Sequence, residues 1–156
     1  MTIINKGLDI IEKNCILYHE LKNVGNALTF KDIHKLHLKN YTKEEIKLST
    51  LNKYIPYLQT KYLALIKLDI EGSEGKAIEG GINLITKYHV PFIFMEFAPK
   101  LLRLKGTDPK QFLEFFEKNG YKISIKDFLS KQYSSIDDLI SGKTRNIYII
   151  YNRFIE

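Results

Sequence analysis

A lone cysteine, Cys15, excludes any disulfide within the chain, and this usage is what a reducing compartment favours, so a cytoplasmic location is expected. No stretch reaches the roughly 20 consecutive apolar residues that a membrane-spanning helix requires. The opening MTIINKGLDIIEKNCILYHE also lacks an apolar run followed by a small-residue cleavage site, so no membrane partner is expected. Tryptophan is absent, and the 24 Lys and Arg that outnumber 18 Asp and Glu, for a net +6, are mostly lysines scattered along the chain. Scattered lysine gives a solvated surface rather than a basic footprint, and the aromatic residues fall at apolar positions instead of alternating with arginine. A nucleic-acid partner is therefore not expected.

What is present is enough apolar material, 44% of 156 residues, for one domain with its own core, read here as residues 1–156. The first 60 residues are the least patterned part, with residues 1–45 read as a divergent N-terminal segment: Cys15 to Tyr18 suits a short strand, and Gly25-Asn26 within Val24 to Leu28 suits a turn. Lys43 to Thr50 alternates well enough for a strand or sheet edge, and Leu51 to Gln59 places Leu51, Tyr54, Ile55 and Leu58 on one face of a helix kept short by Pro56.

From Tyr62 the periodicity sharpens. Tyr62 to Leu68 is almost continuously apolar, which predicts an inner strand covered on both faces. Gly72 then frees the turn, and Ser73 is positioned to cap a helix starting at Glu74, with Ala77, Ile78, Ile82 and Ile85 on its buried face. Gly80-Gly81 inside that helix predicts either close packing or an early end. VPFIFMEF, Val90 to Phe97, is a second apolar strand, so strand, helix and strand form a parallel crossover. Asp108-Pro109 with Gln111 opens a helix whose stripe is Phe112, Leu113 and Phe116, and Asn119-Gly120 ends it. Tyr121 to Ile125 and Asn146 to Tyr151 are predicted strands flanking a short helix at Ser135 to Ile140, and the absence of a long helix between them predicts an antiparallel return at the sheet edge.

The chemistry concentrates where apolar strands end in acids. Asp69 lies just past the first strand, where ligands bind in open α/β sheets, and is the first candidate for a substrate contact or general base; Glu96, near the next strand's end, is the second. Glu71, Gly72, Ser73 and Glu74 are candidates for substrate binding, with support of the helix start as the competing role, since acids in a first turn answer unpaired amides. Carboxylates at this spacing specify no metal. His34 and His37 would share a face if Phe30 to Leu38 were helical, but have no further ligand at zinc-site spacing, and His19, Glu20 and His89 add none. Ser141-Gly142-Lys143-Thr144 ends in GKT, yet Asp137 stands where a phosphate loop needs its first glycine.

Lys67-Leu68-Asp69-Ile70-Glu71-Gly72-Ser73-Glu74, the strand Phe92 to Glu96 and the later NGYKI resemble the carboxyl-terminal half of the FkbM family of S-adenosylmethionine-dependent methyltransferases. Thr50-Leu51-Asn52 is similar to the family's Thr-Leu-Asp with asparagine in place of the acid, and the likeness runs over about residues 46–151. The resemblance implies a three-layer, Rossmann-like α/β methyltransferase fold, mostly parallel, with an antiparallel pair at its carboxyl-terminal edge. It implies S-adenosylmethionine as cofactor and O-methylation of a small-molecule or carbohydrate-like hydroxyl acceptor. The glycine-rich turn of the family's cofactor strands has no counterpart before residue 67, so the fold is expected to be truncated at its N-terminus, and no cofactor-binding residue is assigned. A remnant that needs no cofactor, associating through its sheet edge with a second copy or another chain, is the alternative.

Overall fold

The computed structural model describes residues 2–21, 23–29, 41–58 and 63–155. The first sheet contains β1 (Gly7–Leu8), β2 (Lys13–Glu20), β3 (Asn23–Thr29) and β4 (Tyr41–Ser49) in the order β1-β4-β2-β3. β2 and β4 run antiparallel from Lys13 opposite Leu48 to Glu20 opposite Tyr41, and β1 lies parallel to β4. Gly25-Asn26 forms no turn but lies inside β3: the register jumps from His19 opposite Ala27 to Glu20 opposite Asn23, so Val24 to Asn26 form a bulge. Glycine suits this irregularity because a bulge needs backbone freedom. This sheet meets the core at one end, where Leu48 and Ser49 are buried.

The second sheet contains β5 (Leu65–Leu68), β6 (Phe92–Phe97), β7 (Tyr121–Ser124) and β8 (Arg145–Tyr151) in the order β5-β6-β8-β7. β5 and β6 are parallel, and β8 is antiparallel to both β6 and β7, so the expected antiparallel pair is present. With one parallel ladder and two antiparallel ones, the sheet is mixed rather than mostly parallel. Among the described residues β5 is an edge strand, not an inner one covered on both faces: Leu65 is 50% exposed and Lys67 is also exposed. Its length and apolar composition made it look central, because the sequence does not say which side lacks a neighbour. Tyr62, expected to begin this strand, lies outside the described residues.

β6 shows how the layers form. Ile93, Met95 and Phe97 alternate toward one face and are fully buried, where each contributes about 1.5–3 kcal/mol. Against that face pack α1 (Glu74–Glu79), α2 (Ile82–Tyr88), α3 (Pro99–Leu104), α4 (Pro109–Lys118) and α5 (Ile136–Ser141), whose buried residues, from Ala77 to Leu139, join the same cluster. The opposite face has no described α-helix, only the single 3-10 turn Asn152–Phe154, whose Phe154 lies 6.0 Å from Phe92. It carries an aromatic group in which Phe94 lies 5.0 Å from Tyr148, while Phe128, from the segment after β7, lies 5.0 Å from Phe92. Around the second sheet the described α-helices therefore form a layer on one face, where layers on both faces were expected.

Gly80-Gly81 divides the predicted single helix into α1 and α2, and both predicted reasons hold. A side chain at Gly80 would collide with the Asp9 carbonyl, and one at Gly81 would press on Leu51. The break rotates Ile82 off the buried face, leaving it 39% exposed while Leu84 and Ile85 are buried. α4 opens as expected: Asp108 accepts a hydrogen bond from the Gln111 amide at 2.9 Å, with Pro109 at the first position. Gly120 ends it at φ 82, a left-handed conformation suited to glycine.

Candidate active site at the carboxyl ends of the parallel pair

Asp69 is the first residue past β5, and its carboxylate is 62% exposed with Lys67 Nζ 3.8 Å away. The parallel register of Lys67 with Phe94 and Leu68 with Met95, continued by one residue, brings Asp69 beside Glu96. Past Asp69 the chain turns sharply: Glu71 and Gly72 have φ of 53 and 88, and the Ser73 amide donates to the Ile70 carbonyl at 3.2 Å. A non-glycine residue in the left-handed region costs about 1–3 kcal/mol, so the turn holds Glu71 under strain. Glycine is required at position 72 for two reasons, its φ and the Leu101 side chain, which comes within 2.6 Å of where a Cβ would stand.

Ser73 does not cap α1 with its side chain. Its φ and ψ of −87 and 4 depart from the extended geometry that aims a capping hydroxyl at the first-turn amides. Glu74 reaches back instead: its Oε1 accepts from the Ile70 amide at 3.0 Å, fastening the two ends of the turn together. This carboxyl is only 1% exposed, and Oε2 makes no hydrogen bond among the described residues. Burial raises its pKa above the ordinary value, with the negative charge of Glu96 adding to the rise. Glu96, half-buried on β6, is also pushed up, first by burial and then by the charges of Glu71 and Asp69.

Asp69, Glu71, Glu74 and Glu96 are thus brought into one electrostatic group at the carboxyl ends of β5 and β6. Among the described residues no set of three His, Cys, Asp or Glu side chains is arranged to hold a metal ion. The group suits hydrogen bonding to hydroxyls and acceptance of a proton from one of them.

One residue of this region gave no sequence signal for its role. The Asn52 amide donates to the Gly80 carbonyl at 3.0 Å, and its Oδ1 accepts from the Leu84 amide at 3.0 Å, so Asn52 caps α2 from across the fold. An aspartate would present the same acceptor, and this accounts for asparagine in the Thr-Leu-Asp-like segment.

The histidines stay outside this group. His19 Nε2 is 3.3 Å from Glu44 on the first sheet, and His89 stacks on Tyr151 at 4.7 Å. His34 and His37 lie outside the described residues. Ser141 ends α5, and Gly142 to Thr144 lead from it into β8, the reverse of the strand-to-helix order of a phosphate loop.

A cradle for the adenosyl cofactor expected by resemblance would need glycine where backbone approaches ligand. In the turn from β5 to α1 the space beside Gly72 is filled by Leu101, so this glycine serves protein packing and the turn does not fit that group. No helix among the described residues is long and apolar enough to cross a membrane.

A family model described as Methyltransferase FkbM domain matches residues 9–123, from the loop after β1 to β7. The match includes Asp69 to Glu74 and Glu96, and it reaches back through most of the segment read as the poorly patterned N-terminal part. No curated protein and no solved structure matches the chain.

Proposed function

Because the chain belongs to the FkbM methyltransferase family, we propose that it acts in the O-methylation of a small-molecule or carbohydrate-like hydroxyl acceptor, with the carboxylates past β5 and β6 serving the acceptor. The observation that carries this reading is the convergence of Asp69 and Glu96 at the carboxyl ends of two parallel strands. Ligands of open α/β sheets bind in that position. Family membership implies S-adenosylmethionine as the methyl donor.

The two carboxylates divide the work. Asp69, exposed and beside Lys67, orients the hydroxyl by accepting its hydrogen bond. Glu96, whose raised pKa makes it the stronger proton acceptor, takes the hydroxyl proton as the oxygen becomes nucleophilic. The Glu74 bond to Ile70 holds the turn that presents Asp69.

Calorimetric titration of the whole chain with S-adenosylhomocysteine tests the reading, and saturable binding is expected. Absence of binding at about 1 mM ligand, an affinity floor near 4 kcal/mol, would overturn autonomous methyl transfer. Given an active acceptor, Glu96→Gln should lower kcat by about 10²-fold or more, with a smaller effect on KM.

A second reading is favoured by the exposed edge of β5, where Leu65 is half in solvent: association with another copy through that edge, without catalysis. Sedimentation at low concentration separates the two. A strictly monomeric, folded protein would sink the association reading.

A further inference from the structure

A cavity of about 530 Å³ lies between the start of α3 and the connection from α5 to β8, lined by Pro99, Lys100, Ser141, Gly142, Lys143 and Thr144. Among the described residues no carboxylate lines it. The side chains of Lys100, Lys143 and Thr144 make no hydrogen bond or ion pair among the described residues, whereas Ser141 Oγ donates to the Asp138 carbonyl at 3.1 Å. Beside the cavity Arg145 donates from Nε to the Lys143 carbonyl at 3.2 Å, and its guanidinium lies where a side chain at position 142 would stand, so Gly142 is what admits it. The remaining guanidinium donors add a third positive group to the two ammonium groups.

Helix electrostatics explains only part of this. Lys143 and Arg145 follow the carboxyl end of α5, where cations answer unpaired carbonyls. Lys100 is in the first turn of α3, the end where a cation opposes the helix dipole. A cation kept at the unfavourable end, facing a cavity with other cations and no counter-charge, has a physical reason if an anion enters between them.

The register of β6 with β8 sets Phe97 opposite Arg145 and Glu96 opposite Asn146, so this cavity and the carboxylate group lie at the same end of the sheet. Two residues separate Glu96 from Pro99, a backbone reach of at most about 10 Å. We propose that the cavity binds a compact oxyanion through Lys100, Lys143 and Thr144, with Arg145 beside them, and that this oxyanion is a phosphate, sulfate or carboxylate carried by the hydroxyl acceptor. The link to the acceptor rests on the methyl-transfer reading, while oxyanion binding does not. Ser141 to Thr144 lie outside the segment matched by the family model, while Pro99 and Lys100 lie within it, so the subsite straddles the end of the matched region.

Amide NMR of the whole chain, titrated with inorganic phosphate at constant ionic strength and without methyl donor, tests the site. Saturable shifts are expected at Lys100, Gly142, Lys143 and Thr144, weakened about tenfold or more by the pair K100Q and K143Q and unchanged by K122Q, at the exposed position of β7. No saturation at about 50 mM phosphate, or equal shifts in the double variant, would overturn the site. Glucose 6-phosphate should bind about tenfold tighter than phosphate while glucose alone does not bind. Equal affinity for phosphate and its sugar ester would overturn the acceptor assignment. Because S-adenosylhomocysteine binding is measured separately, failure of the oxyanion site and failure of methyl transfer give different results.

Discussion

Gly72 and Gly106 both have φ of 88, and this pair allows the steric contribution of the turn beside Asp69 to be isolated. Alanine at either position enters the left-handed region, at a cost of about 1–2 kcal/mol. At Gly106 nothing stands within 4 Å of the new methyl group, so that cost is the whole effect. At Gly72 the methyl would meet Leu101 Cβ at 2.6 Å and the Leu101 carbonyl carbon at 3.0 Å. α3 cannot simply retreat, because Leu102 on the same helix is buried in the core, and overpacking of this kind costs about 1–3 kcal/mol more. Gly72→Ala should therefore destabilise by about 2–5 kcal/mol and Gly106→Ala by about 1–2 kcal/mol. Urea unfolding followed by far-ultraviolet circular dichroism measures both, with m unchanged, since neither alters the surface exposed on unfolding. Equal losses in the two variants would refute the argument that α3 is pinned against the turn.

Three further outcomes follow from side chains already described. Glu74 holds its proton to higher pH in the folded chain than the ordinary carboxyl value of 4.5, so its contribution to stability is full below that value and lost as pH rises through the raised one; Glu74→Gln should flatten the fall in stability from pH 4.5 towards neutrality, and an unaltered slope would contradict this. The Tyr121 hydroxyl is buried without a partner among the described residues, and burial raises its pKa, so Tyr121→Phe should raise stability by about 1 kcal/mol in thermal or urea melts; a loss of that size would mean that the hydroxyl is bonded. Asn52→Ala should cost about 1 kcal/mol while Asn52→Asp stays within a few tenths, and equal losses would show that the cap on α2 is not what position 52 supplies.

The parts of the fold that were legible are those where local pattern and burial agree. β6 is apolar enough to read as a strand, and α4 carries its own cap, proline and stop, so neither depends on distant partners. In the first sheet Cys15 to Tyr18 and the alternation after Lys43 marked parts of β2 and β4, but their pairing was not legible, because an eight-residue antiparallel ladder holds them while most β4 side chains face solvent. Asp69 and Glu96 could be named because strand ends mark ligand crevices, and the structure brings them together with Glu71 and Glu74. The exchange of roles between Ser73 and Glu74 could not be read, since it depends on one ψ angle at Ser73. Asn52 was equally hidden, its partner amide lying at Leu84, across the fold.

The strand order β5-β6-β8-β7 has a consequence for synthesis on the ribosome. β8 is made after β7 yet fits between β7 and β6, so the inner edge of β6 stays bare while residues 98–144 emerge, for several seconds at about 5–20 residues per second. β7 meanwhile has no described strand to dock on. The nascent chain is thus most vulnerable to chaperone capture or aggregation in that interval, and β8 closes it like a bolt.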